Sequence, residues 1–306
     1  MNKFFLYVLL FFALVTGVVA FGQTDMDAGQ IKANLRAINS RMAVLMENKE
    51  TAELIKYYTN DAVCMPEFYV QLFNKADIRK FYQQFFSVNS IDKYRKDIYE
   101  VICENNYFIE TGTFAGNLIR DGKEPFPYRG KYLCVWQSDS KGDLKIVSQI
   151  WGASNWIDRT TLTCLPRNNN ASGMPATAED PLTMELKAKN QMLRQAVFKS
   201  DAKEQIQFYC DDAIYMPYYD SMYIGRQNID HYFTTHYSPD WFFDSLSFNT
   251  SKVMKLKDLI VEYSYYYVRW GNSKKETGIV TGKSINIWRR NEKDELLIYR
   301  QMANHD

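Results

Sequence analysis

The stretch YTNDAVCMP, Tyr58–Pro66, decides the fold because it is written twice: YCDDAIYMP occupies Tyr209–Pro217, 151 residues further on. At that offset Glu53–Phe86 lies on Glu204–Tyr237 without a gap. Glu53, Ile55, Tyr58, Asp61, Ala62, Met65, Pro66 and Ile78 recur as Glu204, Ile206, Tyr209, Asp212, Ala213, Met216, Pro217 and Ile229. Average residue usage would leave about two such matches in a window of this size. Further along the offset becomes 152. There GKYLCVW at Gly130 meets GKSINIW at Gly282, Glu110 meets Glu262, Trp136 meets Trp288, and Gln149 meets Gln301. A period this long is a whole domain rather than a solenoid turn.

Each copy reads in the same order. Ile31, Leu35, Ile38, Met42, Leu45 and Met46 recur at helical spacing, matched by Leu182, Leu186, Lys189, Leu193, Ala196 and Val197. A short helix, TAELIKYY, and a strand, AVCMP, follow. A third helix, KADIRKFYQQFF, collects Ile78, Phe81, Tyr82 and Phe85 on one face, with Asn74 placed to cap it. Three or four long strands close the unit, at about residues 93–104, 107–119, 128–137 and 144–156. Helices first and an antiparallel meander last predict an α+β unit, helices packed on one face of a curved sheet. The strand LIVEYSYYYVRW, Leu259–Trp270, is apolar or aromatic on both faces. Both faces are therefore expected to be covered, one by helices and the other by a second sheet.

Residues 1–22 have the layout of a secretory signal peptide: Lys3, an apolar run from Phe4 to Val15, then small residues with cleavage expected after Ala20 or Gly22. The expected location is secreted or periplasmic, with no membrane insertion after cleavage. The rest divides into a first domain at 24–157, a Pro-, Asn- and Gly-bearing linker at 158–180, and a second domain at 181–306. A formal charge of +1 offers no field for nucleic acid or anionic lipid, and 46% hydrophobic residues indicate packed globular domains. Five scattered cysteines do not make a disulfide framework, so buried thiols are expected.

This order of elements, with YTNDAVCMP, NKADI, YFIETGTF and RGKYLCVWQSDSKGDLKIVSQIW in the first copy and GRQNI in the second, resembles the nuclear-transport-factor-2-like superfamily. The superfamily is the cystatin-like α+β cone also called SnoaL-like. The resemblance covers nearly all of both halves and implies two tandem cones, each with a pocket between helices and sheet. It also implies dimerisation through the sheets, which a tandem chain would make internally as a pseudo-dimer, or else as a homodimer. The superfamily holds isomerases, dehydratases, cyclases and non-catalytic domains, so the site must decide function.

Isomerase-type members place an aspartate immediately before the first-strand proline. Here Met65 and Met216 stand there, and a thioether abstracts no proton. Gln149 and Gln301 stand where the resembling subgroup often has an acid. The first domain contains no histidine. In the second, His231 is expected in solvent, and His236 either as a pocket acid or base or at the helix C-terminus, where the dipole favours it. Glu110 and Glu262 sit mid-strand among apolar residues, either as pocket groups or paired at the sheet surface. No metal-ligand spacing and no cofactor motif is present.

Three readings follow. The first is non-catalytic binding of a small apolar molecule, or of a protein partner, by Tyr58, Met65, Glu110, Trp136, Gln149, Trp151, Met216, Trp288 and Gln301. The second is a lyase or isomerase in the second domain, using His236, Glu262 and Tyr209. The third is a structural pseudo-dimer with filled cones.

Overall fold

The computed structural model describes residues 28–120, 123–157 and 179–306. The expected signal peptide, nearly all of the expected linker, and Cys164 lie outside them.

In the first half, α1 (Ala28–Glu47) buries Ile31, Leu35, Met42 and Leu45, and with them the polar Asn39. A short α2 (Thr51–Leu54) passes through a 3-10 turn into β1 (Tyr58–Met65). α3 (Lys75–Val88) starts at Asn74, whose side chain accepts the Asp77 N–H at 2.9 Å and satisfies one of the donors a helix start leaves open. It buries Ile78, Phe81 and Tyr82 as its period predicts, with Phe86 deeper than Phe85. Then come β2 (Asn89–Glu104), β3 (Tyr107–Arg120), β4 (Phe126–Ser138) and β5 (Leu144–Ala153). The strand order is β1-β5-β4-β3-β2. β1 returns parallel to β5, an arrangement that the local pattern of either strand does not encode.

The second half repeats this as α4 (Pro181–Phe198), α5 (Ala202–Gln205), β6 (Tyr209–Met216), β7 (Tyr223–Ile224), α6 (Arg226–His236), β8 (Trp241–Lys255), β9 (Leu259–Asn272), β10 (Thr277–Arg290) and β11 (Leu296–His305). Asp180 caps α4, with Pro181 in its first turn. The sheet order is β7-β6-β11-β10-β9-β8, and β6 is again parallel to β11. Each half is an α+β cone: helices over the concave side of a curved, mostly antiparallel sheet.

Alternation along the strands sends one set of side chains into each cone and the other set between the sheets. Val63, Met65, Leu133 and Val135 meet Met216, Val261, Tyr263 and Ile285 in one apolar cluster that spans both halves. Tyr263 donates to Ser148 Oγ at 3.0 Å across it, and Asn304 Nδ2 donates to the Met65 and Trp151 carbonyls at 3.0 and 2.7 Å. Arg300, 3% exposed, holds Glu100 through both carboxylate oxygens at 2.8 and 2.7 Å. The chain thus forms its sheet-to-sheet contact internally. This accounts for the tyrosine-rich β9, whose Tyr263 faces the sister sheet while Glu262, Ser264 and Tyr266 face the cone.

Cys64, Cys134 and Cys210 are buried thiols, but Cys103 is exposed on β2. The expectation of burial fails there because β2 is an edge strand whose far face meets solvent.

Candidate functional site: two unequal cones

One rung of each sheet forms the cone floor. In the first domain the register places Cys64, Gln149, Cys134 and Glu110 side by side; in the second it places Tyr215, Gln301, Asn286 and Glu262. Met65 and Met216 are one residue out of step with that rung. Both are fully buried in the cluster between the sheets. Their expected place in the pocket is corrected by strand parity, since a one-residue step reverses the face. The lack of an acid before each proline therefore has no bearing on the cones, whose β1 and β6 residues are Cys64 and Tyr215.

Glu110 and Glu262 are fully buried and held from several sides. Glu110 Oε1 accepts from Asn39 Nδ2 at 2.6 Å and the Tyr132 hydroxyl at 2.5 Å, and Oε2 accepts from Trp136 Nε1 at 2.6 Å. Glu262 Oε1 accepts from Asn190 Nδ2 at 2.5 Å and Thr250 Oγ1 at 2.6 Å; Oε2 accepts from Trp288 Nε1 at 2.8 Å and Asn286 Nδ2 at 3.1 Å. The pairing of a mid-strand glutamate with a tryptophan two residues into the next strand's rung is a structural anchor tying helix to sheet. The four residues Glu110, Glu262, Trp136 and Trp288 lie beneath the cavity walls, which corrects their expected contact with a ligand. Neighbouring donors occupy the carboxylates instead.

Above these floors the cones differ. The first holds a cavity of about 80 Å³, the second one of about 570 Å³. Aligned residues give the reason. Tyr132, Trp151 and Tyr128 in the first domain stand where the second has Ser284, Ala303 and Val280. The missing volume outweighs the opposite change of Cys64 to Tyr215. Gly112, opposite Tyr132, has no room for a side chain, because a Cβ there would lie 2.7 Å from the tyrosine hydroxyl. At the same rung the second domain has Ser264 and Ser284, their hydroxyls 2.6 Å apart.

Of the expected site residues, Gln149 and Trp151 line the first cavity, while Tyr209, Gln301 and His236 line the second. Tyr58 lies just behind the first wall, 1% exposed, its hydroxyl 2.8 Å from Tyr82 and bonded to Gln149. A directed chain crosses the second floor. The Tyr209 hydroxyl donates to Gln301 Oε1 at 2.5 Å, Gln301 Nε2 to Asn286 Oδ1 at 2.9 Å, and Asn286 to Glu262. Burial pushes the Tyr209 hydroxyl well above the usual tyrosine range, with the neighbouring Tyr215 adding to the shift, so it serves as a neutral hydrogen-bonding group. His236 is exposed at the mouth and stacks on Tyr232, ring centroids 4.8 Å apart. Partial burial lowers its pKa, with Asp220 opposing. The expected trio of His236, Glu262 and Tyr209 is not assembled: His236 is at the rim and Glu262 is under the floor with its oxygens taken. His231 is exposed on α6, as its helical position predicts.

Two groups escaped the sequence reading. Glu67, one residue past Pro66, lines the first cavity; its Oε2 accepts from the Tyr128 hydroxyl at 2.5 Å and its Oε1 from the Ala153 N–H at 2.9 Å. Burial pushes its carboxyl up, with both bonds opposing. Lys131 and Lys283 are equivalent and buried; Lys131 donates to the Ala153 carbonyl at 2.5 Å, Lys283 to the His305 carbonyl at 2.9 Å. The alternation of GKYLCVW, in which Tyr132, Cys134 and Trp136 face the cone, was the available signal for Lys131. Among the described residues no cluster of three or more histidine, cysteine or acidic side chains could hold a metal ion.

No family model matches this chain, and no curated protein does. It is similar to solved structures over one cone's length. A ketosteroid isomerase-like protein from Erwinia carotovora atroseptica is 13% identical over 41% of this chain and 97% of that one, with a TM-score of 0.37. A nuclear-transport-factor-2-like superfamily protein from Salmonella enterica Typhimurium is 11% identical over 42% of this chain and 93% of that one, with a TM-score of 0.36. Another such protein, from Cytophaga hutchinsonii, is 11% identical over 40% and 97%, with a TM-score of 0.35. In architecture the chain is a tandem α+β cone protein.

Proposed function

We propose that the protein binds a small, mostly apolar molecule in its second cone without transforming it, and that the first cone is its filled structural counterpart. The observation that carries this reading is the contrast of about 570 Å³ with about 80 Å³ on one shared framework. Ligand sites usually occupy about 300–1,000 Å³, with apolar and aromatic walls and a few fixed polar groups. The second cone matches that description, with Tyr209, Gln301 and Asn286 as its polar floor. The first is smaller than the roughly 150 Å³ void that admits benzene. A non-catalytic role is supported by the amide and hydroxyl character of the floor: Tyr209, Gln301 and Asn286 present no group able to exchange a proton near neutrality, and the titratable residues of the cavity, His236, His305 and Asp220, belong to its walls.

Titration with the neutral fluorescent probe N-phenyl-1-naphthylamine tests this, alongside native mass spectrometry of the purified protein for retained molecules. Wild type is expected to take up one probe per chain. A variant carrying Ser264→Gly, Ser284→Tyr and Ala303→Trp, the residues of the first cone, should lose at least tenfold in affinity while keeping its melting temperature within a few degrees. Unchanged binding in a folded filled variant would refute the assignment of the site to this cone.

A further inference from the structure

The second cavity has an unusual wall. Seven of its lining residues are tyrosines and three are phenylalanines, while Asp220 is its one carboxylate and no lysine or arginine lines it. Its rings form a continuous surface: Tyr215 lies 5.5 Å from Tyr232 and 5.3 Å from Phe233, and Tyr209 lies 5.5 Å from Phe233, measured between centroids. Asp220 Oδ2 accepts from the Tyr223 hydroxyl at 2.9 Å and Oδ1 from the Ser221 N–H at 2.7 Å, both neutral donors. Its negative field reaches the rings around it, adding to the effect of burial in raising Tyr215 and Tyr232.

The first cone shows what such a wall attracts. Its cavity is lined by Lys96, whose ammonium lies 3.9 Å from the centroid of the Tyr132 ring. The protein there supplies its own cation to its own aromatic wall. The register pairs Lys96 with Phe114 and, in the second domain, Phe248 with Tyr266, so the residue equivalent to Lys96 is a phenylalanine. The second cone has thus kept an aromatic surface, acquired a carboxylate at Asp220 where the first has Tyr69, and lost the lysine that fills the first.

We propose that the ligand of the second cone carries a positive charge, as an amine or quaternary ammonium group on an apolar body, seated against the tyrosine faces near Asp220. This rests on the binding reading above and narrows it. Aromatic faces attract cations through their negative quadrupole, most strongly where water is excluded, and quaternary ammonium groups are held by aromatic cages in this way. A carboxylate nearby adds Coulomb attraction. An anionic ligand would meet the same faces and Asp220, with no lysine or arginine lining the cavity to receive it.

The test is calorimetric titration of the full chain with three probes that share a benzyl group: benzyltrimethylammonium, its uncharged carbon isostere neopentylbenzene, and the anion phenylacetate. The cation is expected to bind at least tenfold more tightly than the isostere, and phenylacetate more weakly than either. Asp220→Asn, which keeps the hydrogen-bond acceptor but not the charge, should weaken the cation three- to tenfold and leave the isostere unchanged. Equal binding of cation and isostere, or preference for the anion, overturns the proposal. If none of the three binds, the proposal also falls; the broader binding reading falls with it only when N-phenyl-1-naphthylamine fails as well.

Discussion

The two cones share a framework and differ in what fills it. Both place a glutamate on the strand beside the sheet's edge, β3 or β9, beneath an asparagine from the first helix and beside a tryptophan of the next strand. Both keep a lysine buried at the edge between the sheets. The residues that differ most in volume, Tyr132 against Ser284 and Trp151 against Ala303, project into the cone above that framework. Anchoring and emptiness are therefore separable. The anchor lies on one rung and sets the distance of helix from sheet, and the size of the cavity is decided by a few side chains above it.

The largest expected effect tests the anchor. Replacing Glu110 by Leu leaves the Trp136 indole, the Tyr132 hydroxyl and Asn39 without their acceptor, a loss of about 4 kcal/mol by the usual cost of orphaned buried donors. Glu262→Leu orphans four donors instead of three. Even so, it is expected to cost less, about 3 kcal/mol, because Asn190 and Asn286 line the larger cavity, about 570 Å³ against the 80 Å³ lined by Asn39 and Tyr132, which leaves more room for water to take their freed N–H groups. Urea unfolding of both variants checks the order. If Glu262→Leu proves the more damaging, the second cavity does not hydrate its floor and the contrast between the cones is weaker than their volumes indicate.

A second test converts one cone toward the other. Trp151 is half-buried and packs near Phe81, ring centroids 6.2 Å apart. Trp151→Ala should cost about 3 kcal/mol, the low end for large aromatic truncations because part of the side chain already meets solvent. The same change should raise the stoichiometry of N-phenyl-1-naphthylamine from one toward two per chain. Lost stability with no second site would mean that the first cone collapses around the vacancy, and that its fullness is a property of the backbone rather than of a few side chains.

Much of the framework was legible before the structure. The repeat, the cone order, the Asn74 cap and the doubly covered β9 all follow from local periodicity and from two aligned copies that agree. Glu110 and Glu262 were visible as anomalies, because a mid-strand carboxylate requires partners. Their role was not, since it depends on Asn39 and Asn190, which are 71 and 72 residues distant in the chain. Met65 and Met216 were misplaced through strand parity: each stands seven residues from Tyr58 or Tyr209, an odd step that turns it to the opposite face of the strand, yet all four were expected in the cones. Cavity size was the least legible quantity, because it is a difference between large filled volumes. It can be read only once Tyr132 is known to share a rung with Gly112.

The smallest effect concerns the lysines between the sheets, which the two halves treat differently. Lys283 has a carboxylate partner, Asp306 Oδ1 at 2.9 Å, whereas the hydrogen bond of Lys131 goes to a neutral carbonyl, with Glu67 and then Asp220 acting only through their charges. Burial lowers both, and Lys131 falls to about 8 from an ordinary value of 10.5. Between these two values the unfolded chain binds the proton and the folded one does not, so stability must rise with pH across that window and be lost as pH falls through 8. From pH 8 to 9 the gain due to this residue is roughly 1 kcal/mol, in a range that stays below the ordinary tyrosine value of about 10. Lys131→Met should remove that rise from the pH dependence of urea unfolding, and Lys283→Met should flatten it less, because Asp306 holds that ammonium in its charged form. Equal slopes in wild type and Lys131→Met would mean that Glu67 pairs with Lys131 as fully as Asp306 pairs with Lys283. The interface between the cones would then be symmetric in charge as well as in packing.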